Sequence, residues 1–278
     1  MNDVAIGQGG YSVFYGTMAD MTYPEVKEAA QQGAVVLWGL GVIEQHGPHL
    51  PLATDVYMPY ASLRLVSAKL AAQGVRSVTM PPYYWGINDV SGLFPGTFEV
   101  RPAIMIEIMI DLIKSLKKDN FTQLFCVSGH GDAMHNRTIL EGVKRGGAEA
   151  GIEAYFVGAP SFFKRLGFAA DDPNTVATNG EVERKSKFAD VHAGQFETSS
   201  MQRYFPGVVR SDVVPGLKAT DLGPAELAEW RKGPQQALKV TPLGYLGDPA
   251  ASDPVLGESL LVGQAQFIAD AIAARAKK

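Results

Sequence analysis

Within GLGVIEQHGPHLPLATD (39–55) the chain gathers Glu44, His46, His49 and Asp55. Glu44 and His46 are two residues apart, as are His130 and Asp132 in SGHGD (128–132). In an extended segment, residues two apart point the same way, so each pair aims two ligands at one place. Asp55 closes the first loop, whose return path is restricted by Pro48 and Pro51. A third segment, DVHAGQFETSS (190–200), adds His192 and Glu197 beside a glycine that lets another chain or a substrate come close. Imidazole with carboxylate suits zinc, manganese or iron, whereas calcium prefers oxygen alone. Glu44, His46, Asp55, His130, Asp132 and Glu197 are too many ligands for one tetrahedral ion. They fit two metals sharing a bridging carboxylate, a pair that ionises a water and polarises a carbonyl or phosphoryl oxygen.

The elements that must position these residues alternate along the chain. AVVLWGLG (34–41) is a continuous apolar run ending in glycine, which predicts a buried parallel strand. Residues 57–74 have helical periodicity and stop at Gly74. VRSVTMPP (75–82) reads as the next strand. Residues 101–120 form an amphipathic helix with a proline at its start and lysines in its last turn. The run 121–131 is a strand leading into a glycine-rich loop, followed by a helix over 135–151 and a strand over 152–160. Residues 161–193 are polar and irregular, an excursion or flap. Helices are expected over 223–237 and 257–278, with a Gly/Pro-rich loop at 241–254. This alternation predicts an α/β fold with a mostly parallel sheet, in one domain spanning 1–278. EQH and SGHGD each follow a predicted strand. Ligands bind beyond the carboxyl ends of such strands, so the two segments should meet at one edge of the sheet.

Composition narrows the classes of function. With 278 residues and 46% hydrophobic content, the chain can bury a sizeable core. The net charge of −4 is mixed along the chain with no basic block, so nucleic acid is not an expected partner. The single cysteine, Cys126, sits in QLFCV and reads as a small buried hydrophobe. No disulfide can form within the chain, which fits a reducing compartment. The N-terminus shows no basic start followed by a long apolar run, and nothing approaches the roughly 20 apolar residues of a membrane span. A soluble cytoplasmic protein is expected.

Three tempting motifs fail on chemistry. GQGG (7–10) does not clearly follow a strand. GLG (39–41) would need a glycine where Glu44 stands, and an acid there repels a pyrophosphate. The nucleophile elbow G-x-S-x-G would need glycine in place of Cys126. His49 and His135 read as structural, with His49 bracing its loop or hydrogen-bonding a ligand.

The stretches GVIEQHGPHLPLATD (41–55), FPGT (94–97), SGHGD (128–132), HAGQFETS (192–199) and GDP (247–249) occur in an order that resembles the creatininase family, the creatinine amidohydrolases. The resemblance implies a three-layer α/β/α fold and a two-metal hydrolase acting on amide-type C–N bonds. It implies Glu44, His46, Asp55 and His130 as metal ligands, with Asp55 bridging. Asp132 stands where creatininase has a ligand glutamate. Glu197 matches the glutamate used by members that lack that acid, and this chain has both. His192 matches a histidine that holds substrate and moves protons. A homo-oligomer, a hexamer by resemblance, is also implied.

The departures lie in the substrate walls. Ser128 replaces the usual asparagine, and Gln195 stands where many members have glutamate. Creatininase has an aromatic residue in place of Gly131 and a tryptophan in the loop before the equivalent of His192. SKFAD here offers only Phe188. Creatinine itself is therefore not the expected substrate. YYWGIND (83–89), with Trp85 and Asp89, could form a wall for a flat, partly apolar ligand. The expected protein uses two divalent ions, zinc and/or manganese or else iron, to hydrolyse a small amide or lactam. The rivals are a peptide-tail cleaving enzyme or heterocycle deformylase of the same family, and a non-catalytic metal-binding assembly protein.

Overall fold

The protein, as a computed structural model, is described over residues 14–276, so the GQGG stretch lies outside the described residues. Five strands form one sheet: β1 Val35–Leu40, β2 Ser77–Thr79, β3 Gln123–Ser128, β4 Glu153–Gly158 and β5 Thr175–Ala177. Their order is β2-β1-β3-β4-β5, and every pairing is parallel.

The apolar strands are continuous runs because both faces of the sheet are covered. Val36, Trp38, Leu40, Leu124, Cys126 and Phe156 point to one side. There they meet Met105, Met109 and Ile113 of α3 (Pro102–Lys118) and Ile139 and Val143 of α4 (Ala133–Ala150). The helix α1 (Tyr23–Gln31) packs Val26 and Ala30 on the same side. Val35, Leu37, Phe125, Val127 and Val157 face the other way, onto Leu63 and Val66 of α2 (Thr54–Ala72) and Ile268 and Ile272 of α9 (Pro254–Ala276). The result is a three-layer α/β/α arrangement. Each such buried aliphatic side chain contributes about 1.5–3 kcal/mol.

Two expectations are revised. The stretch 161–193 is not structureless: it completes α5 (Pro160–Leu166) and supplies β5, which pairs Thr175 with Phe156. A three-residue strand is too short to show alternation in sequence. The helix expected over 223–237 is two, α7 (Pro224–Trp230) and α8 (Pro234–Val240), parted by Gly233 at φ 133° and Pro234.

The start of α2 matters most for the site. It begins at Thr54, before the apolar periodicity starts, and so carries Asp55 in its first turn. Pro59 has no N–H, so the Asp55 carbonyl lacks its usual intrahelical donor. Both strand exits press on that carbonyl through glycines. A Cβ at Gly41 would lie 2.1 Å from the Asp55 oxygen; one at Gly129 would lie 2.2 Å from it and 2.6 Å from Pro59 Cδ. Those obstacles are backbone and a proline ring, which cannot swing aside. Gly129→Ala is therefore expected to destabilise the protein by about 1–3 kcal/mol, the usual cost of overpacking. A urea midpoint measurement checks this, and a variant as stable as the parent would show that the contact relaxes freely.

Candidate metal centre

The ends of β1 and β3 lie side by side, with Leu40 paired to Ser128, where the strand order reverses. This is the switch point at which open parallel sheets bind ligands. The chain leaving β1 supplies Glu44 and His46 and returns through α2 with Asp55. The chain leaving β3 supplies His130 at once. The helix α6 (Gln195–Tyr204) brings Glu197, and the loop before it brings His192.

His46 Nε2 lies 3.2 Å from Asp55 Oδ1, 3.8 Å from Glu197 Oε2 and 4.0 Å from Glu44 Oε1. His130 Nδ1 lies 2.7 Å from Asp55 Oδ2 and 3.0 Å from Glu44 Oε1. Asp55 thus turns one oxygen to each imidazole. Glu44, His46, Asp55 and His130 are all buried.

The far nitrogen of each ring sits against a backbone carbonyl, which can only accept. His46 Nδ1 meets the Glu44 carbonyl at 3.1 Å, and His130 Nε2 meets the Ile87 carbonyl at 3.2 Å. These contacts put the hydrogen on the far nitrogen and leave a lone pair facing the carboxylates. Glu44 Oε1, His46 Nε2 and Asp55 Oδ2 are buried without a hydrogen-bond partner. Lone pairs facing carboxylate oxygens repel one another unless a proton or a metal ion lies between them.

The electrostatics show what protons do there. Burial disfavours the charged form of each group. For His46 the carboxylates of Asp55, Glu44 and Glu197 outweigh burial and raise the pKa to about 9. For His130, burial is outweighed by Glu44 and Asp55, which raise the pKa well above the usual imidazole range. Glu44 is lowered, despite burial, by His130 and His192. Asp55 is lowered strongly, again against burial, by His46 and His130. The other two histidines behave oppositely. Burial, then His46, lowers His49 to about 4; burial, then His130, lowers His135 well below its usual value. Both are neutral braces in this structure. His49 Nε2 pairs with Thr198 Oγ1 of α6 at 2.9 Å, and His135 Nδ1 accepts from Ile87 N at 3.4 Å.

His192 is clamped through its backbone to Leu246, just before the GDP motif. Its Nε2 lies 2.8 Å from the Gln45 carbonyl and 3.1 Å from Gln45 Nε2, while Nδ1 looks at Glu44 Oε1 from 3.7 Å. Glu197 Oε2 accepts from Ala193 N at 2.6 Å. That bond holds Ala193 at φ 48°, a left-handed conformation that non-glycine residues resist.

The remaining candidates lie elsewhere. Asp132 Oδ1 caps α4 by accepting from His135 N at 2.8 Å. Among the described residues, the close three-donor groups contain Glu197 and not Asp132. Trp85 is exposed and packs on Tyr84 and Phe98 rather than on the histidines. Asp89 is exposed, Gly131 opens to free space, and Phe188 sits half-buried under Lys187.

Several supporting groups escape a reading of residue type and spacing. Ser91 donates its hydroxyl to Glu44 Oε2, and Thr97 Oγ1 of FPGT accepts from Gln45 N at 3.0 Å. Trp230, at the end of α7, brings its ring within 6.4 Å of the His192 ring. Serine or tryptophan in such loops carries no periodic signal.

Fold and cluster together define a three-layer α/β/α protein whose buried carboxylates and imidazoles could hold metal ions. The model of the creatininase family, creatinine amidohydrolase, matches residues 19–272, and the chain belongs to that family. It is similar to the creatinine amidohydrolase of Pseudomonas putida, 27% identical over 270 residues, covering 94% of this chain and 96% of that protein. It is also similar to the mycofactocin precursor peptide peptidase of Mycolicibacterium smegmatis, 30% identical over 240 residues, covering 86% of this chain and 84% of the relative. A solved creatininase has the same fold, with a TM-score of 0.71 at 21% identity, covering 95% of this chain and 98% of the other. Solved creatininases include a manganese form and a Zn-Zn form.

Proposed function

We propose that this protein is a two-metal hydrolase of a small amide, lactam or related C–N bond. The observation that carries this reading is Asp55, whose two oxygens face two different imidazoles at 3.2 and 2.7 Å. Glu44 and His130 would complete one position with Asp55; His46 and Glu197 would complete the other. In this reading Asp132 is a helix cap. The unpartnered buried atoms of Glu44, His46 and Asp55 fit such cations, and zinc or manganese suits the donor set. When bound, the two ions would supply Lewis acidity and a water ionised near neutral pH.

The chain's own residues supply the rest. Ser91 and the Ile87 carbonyl hold Glu44 and His130 in aim, so that little reorganisation is needed at the moment of reaction. His192 is the proton donor to the departing nitrogen through Nδ1. With Nε2 hydrogen-bonded to the Gln45 carbonyl, Nδ1 is the atom free to take and return a proton. Trp85, Asp89, Gly131 and Phe188 belong to the surrounding substrate walls and are expected to affect specificity rather than metal binding. The protein is proposed to act as a homo-oligomer on a small soluble substrate in the cytoplasm. Among the described residues, no helix is long and apolar enough to cross a membrane.

The test is a panel of cyclic amides, linear amides and short peptides, offered to zinc- or manganese-loaded protein and scored by amine release. Hydrolysis that a chelator abolishes and added metal restores is expected for cyclic or small linear amides. Cleavage confined to the peptides would instead place the chain beside its peptidase relative. Tight metal binding without turnover on any member would favour an assembly role.

A further inference from the structure

Trp230 is a large aromatic side chain with no place in the core. Among the described residues it belongs to none of the apolar clusters, and it is half-buried at the end of α7. Its orientation is nonetheless fixed. The indole N–H donates to Thr241 Oγ1 at 3.0 Å, and that hydroxyl donates in turn to the Ala237 carbonyl of α8 at 2.9 Å. Thr241 opens a turn closed by the Gly244 N–H on its carbonyl at 2.9 Å. Gly244, at φ 78°, leaves room for the Gln45 side-chain amide, which a Cβ there would strike. The Nε2 of that amide lies 3.1 Å from His192 Nε2. One short loop therefore ties the indole and the imidazole to the same frame.

Three rings form a row. The His46 and His192 centroids are 4.3 Å apart, and those of His192 and Trp230 are 6.4 Å apart. Exposure rises along it, from the fully buried His46 to the half-buried Trp230, so the indole stands at the outer end. The Trp230 and His192 planes are tilted by 42°, neither stacked nor edge-on, so the imidazole does not use the indole face as a stacking partner would. Among the described residues no second aromatic ring packs on that indole. His192 spends Nε2 on the Gln45 carbonyl and turns Nδ1 inward to Glu44. A leaving nitrogen that takes its proton from Nδ1 carries its substituent outward along the row, towards the indole. We propose that Trp230 is a specificity-determining residue, whose indole stacks on a flat substituent of the departing amine. The favoured substrate class is then a small amide with an aromatic or heteroaromatic ring on its amine half. This inference rests on the hydrolase reading for the bond that is cut, and on His192 for the side that departs.

The test compares N-benzylacetamide with N-(cyclohexylmethyl)acetamide, which differ in a flat against a puckered ring of similar reach. Both are offered to metal-loaded wild-type protein and to the Trp230→Phe, Trp230→Leu and Thr241→Val variants. Binding is read by calorimetry and hydrolysis by amine release. Wild type is expected to bind the flat amide about 2- to 10-fold more tightly, the range of an aromatic stacking contact. Trp230→Phe should keep most of that preference, and Trp230→Leu should bring the ratio to about one. Thr241→Val, which leaves the ring in place but frees it from its hydrogen bond, should reduce the ratio part of the way. A leucine that merely loosened the loop would weaken both amides alike and leave the ratio unchanged. Equal affinity for the two amides in wild type, no detectable binding of either, or a preference that survives Trp230→Leu overturns the stacking role. A flat-ring preference that depends on Trp230, with no hydrolysis of either amide, would count against the hydrolase reading and leave the stacking site standing.

Discussion

Asp55→Asn is expected to empty both metal positions together and to reduce turnover by more than about 10³-fold. Removing one group that stabilises transition-state charge costs about 10²–10³ in kcat, and this substitution weakens two such groups. The reason is geometric. Asp55 is the residue whose two oxygens each face a different histidine, so loss of its charge is felt at both proposed positions. Glu197 touches only the His46 side, at 3.8 Å, so Glu197→Gln should lose one equivalent and keep the other. Elemental analysis of the purified variants checks both statements. An Asp55→Asn protein that retained one full equivalent would show that the two positions do not share this carboxylate.

His192→Gln is expected to leave metal content intact and to lower kcat by about 10²–10⁴-fold, the contribution of a positioned general acid. KM should change little. The defect should shrink for amides whose leaving nitrogen is already a weak base, since such a group departs without help. An anilide series provides that readout, which a merely structural lesion would not move. Glu44, His46 and His192 also form a close three-donor group, with His192 Nδ1 3.7 Å from Glu44 Oε1. If the variant lost metal in step with activity, His192 would be a ligand and the proton would have to come from another group.

Much of this centre is legible from residue types and spacing because strand exits in a parallel sheet converge. Glu44, His46 and His130 follow β1 and β3, whose apolar runs are unmistakable, and the switch point brings them together. Asp55 is legible as a candidate ligand but not as a helical residue, because the first turn of α2 has no apolar periodicity to mark it. The choice between Asp132 and Glu197 is not legible at all. It depends on where α6 sets Glu197 against His46, 3.8 Å away in space and distant in sequence, while Asp132 is taken up by the local cap to His135. Ser91, Gln45 and Trp230 are hidden for the same reason: each acts through a contact spanning tens of residues. The motifs FPGT and GDP, weak as sequence signals, gain a role once seen in place. One supports the Gln45 backbone, and the other follows the strand-like clamp on His192.

The most direct test of a two-metal centre is calorimetric titration of zinc into metal-free protein at pH 7, in two buffers of different ionisation heat. Folding raises the His46 pKa from 6.5 to about 9 and lifts that of His130 well above 6.5, so both rings hold a proton on the nitrogen facing the carboxylates at pH 7. Each ion must therefore displace a proton. About two zinc ions per chain with about two protons released, and binding that tightens as pH rises towards 9, is the predicted result. A single ion per chain, or a heat of binding that does not change with the buffer, would contradict it.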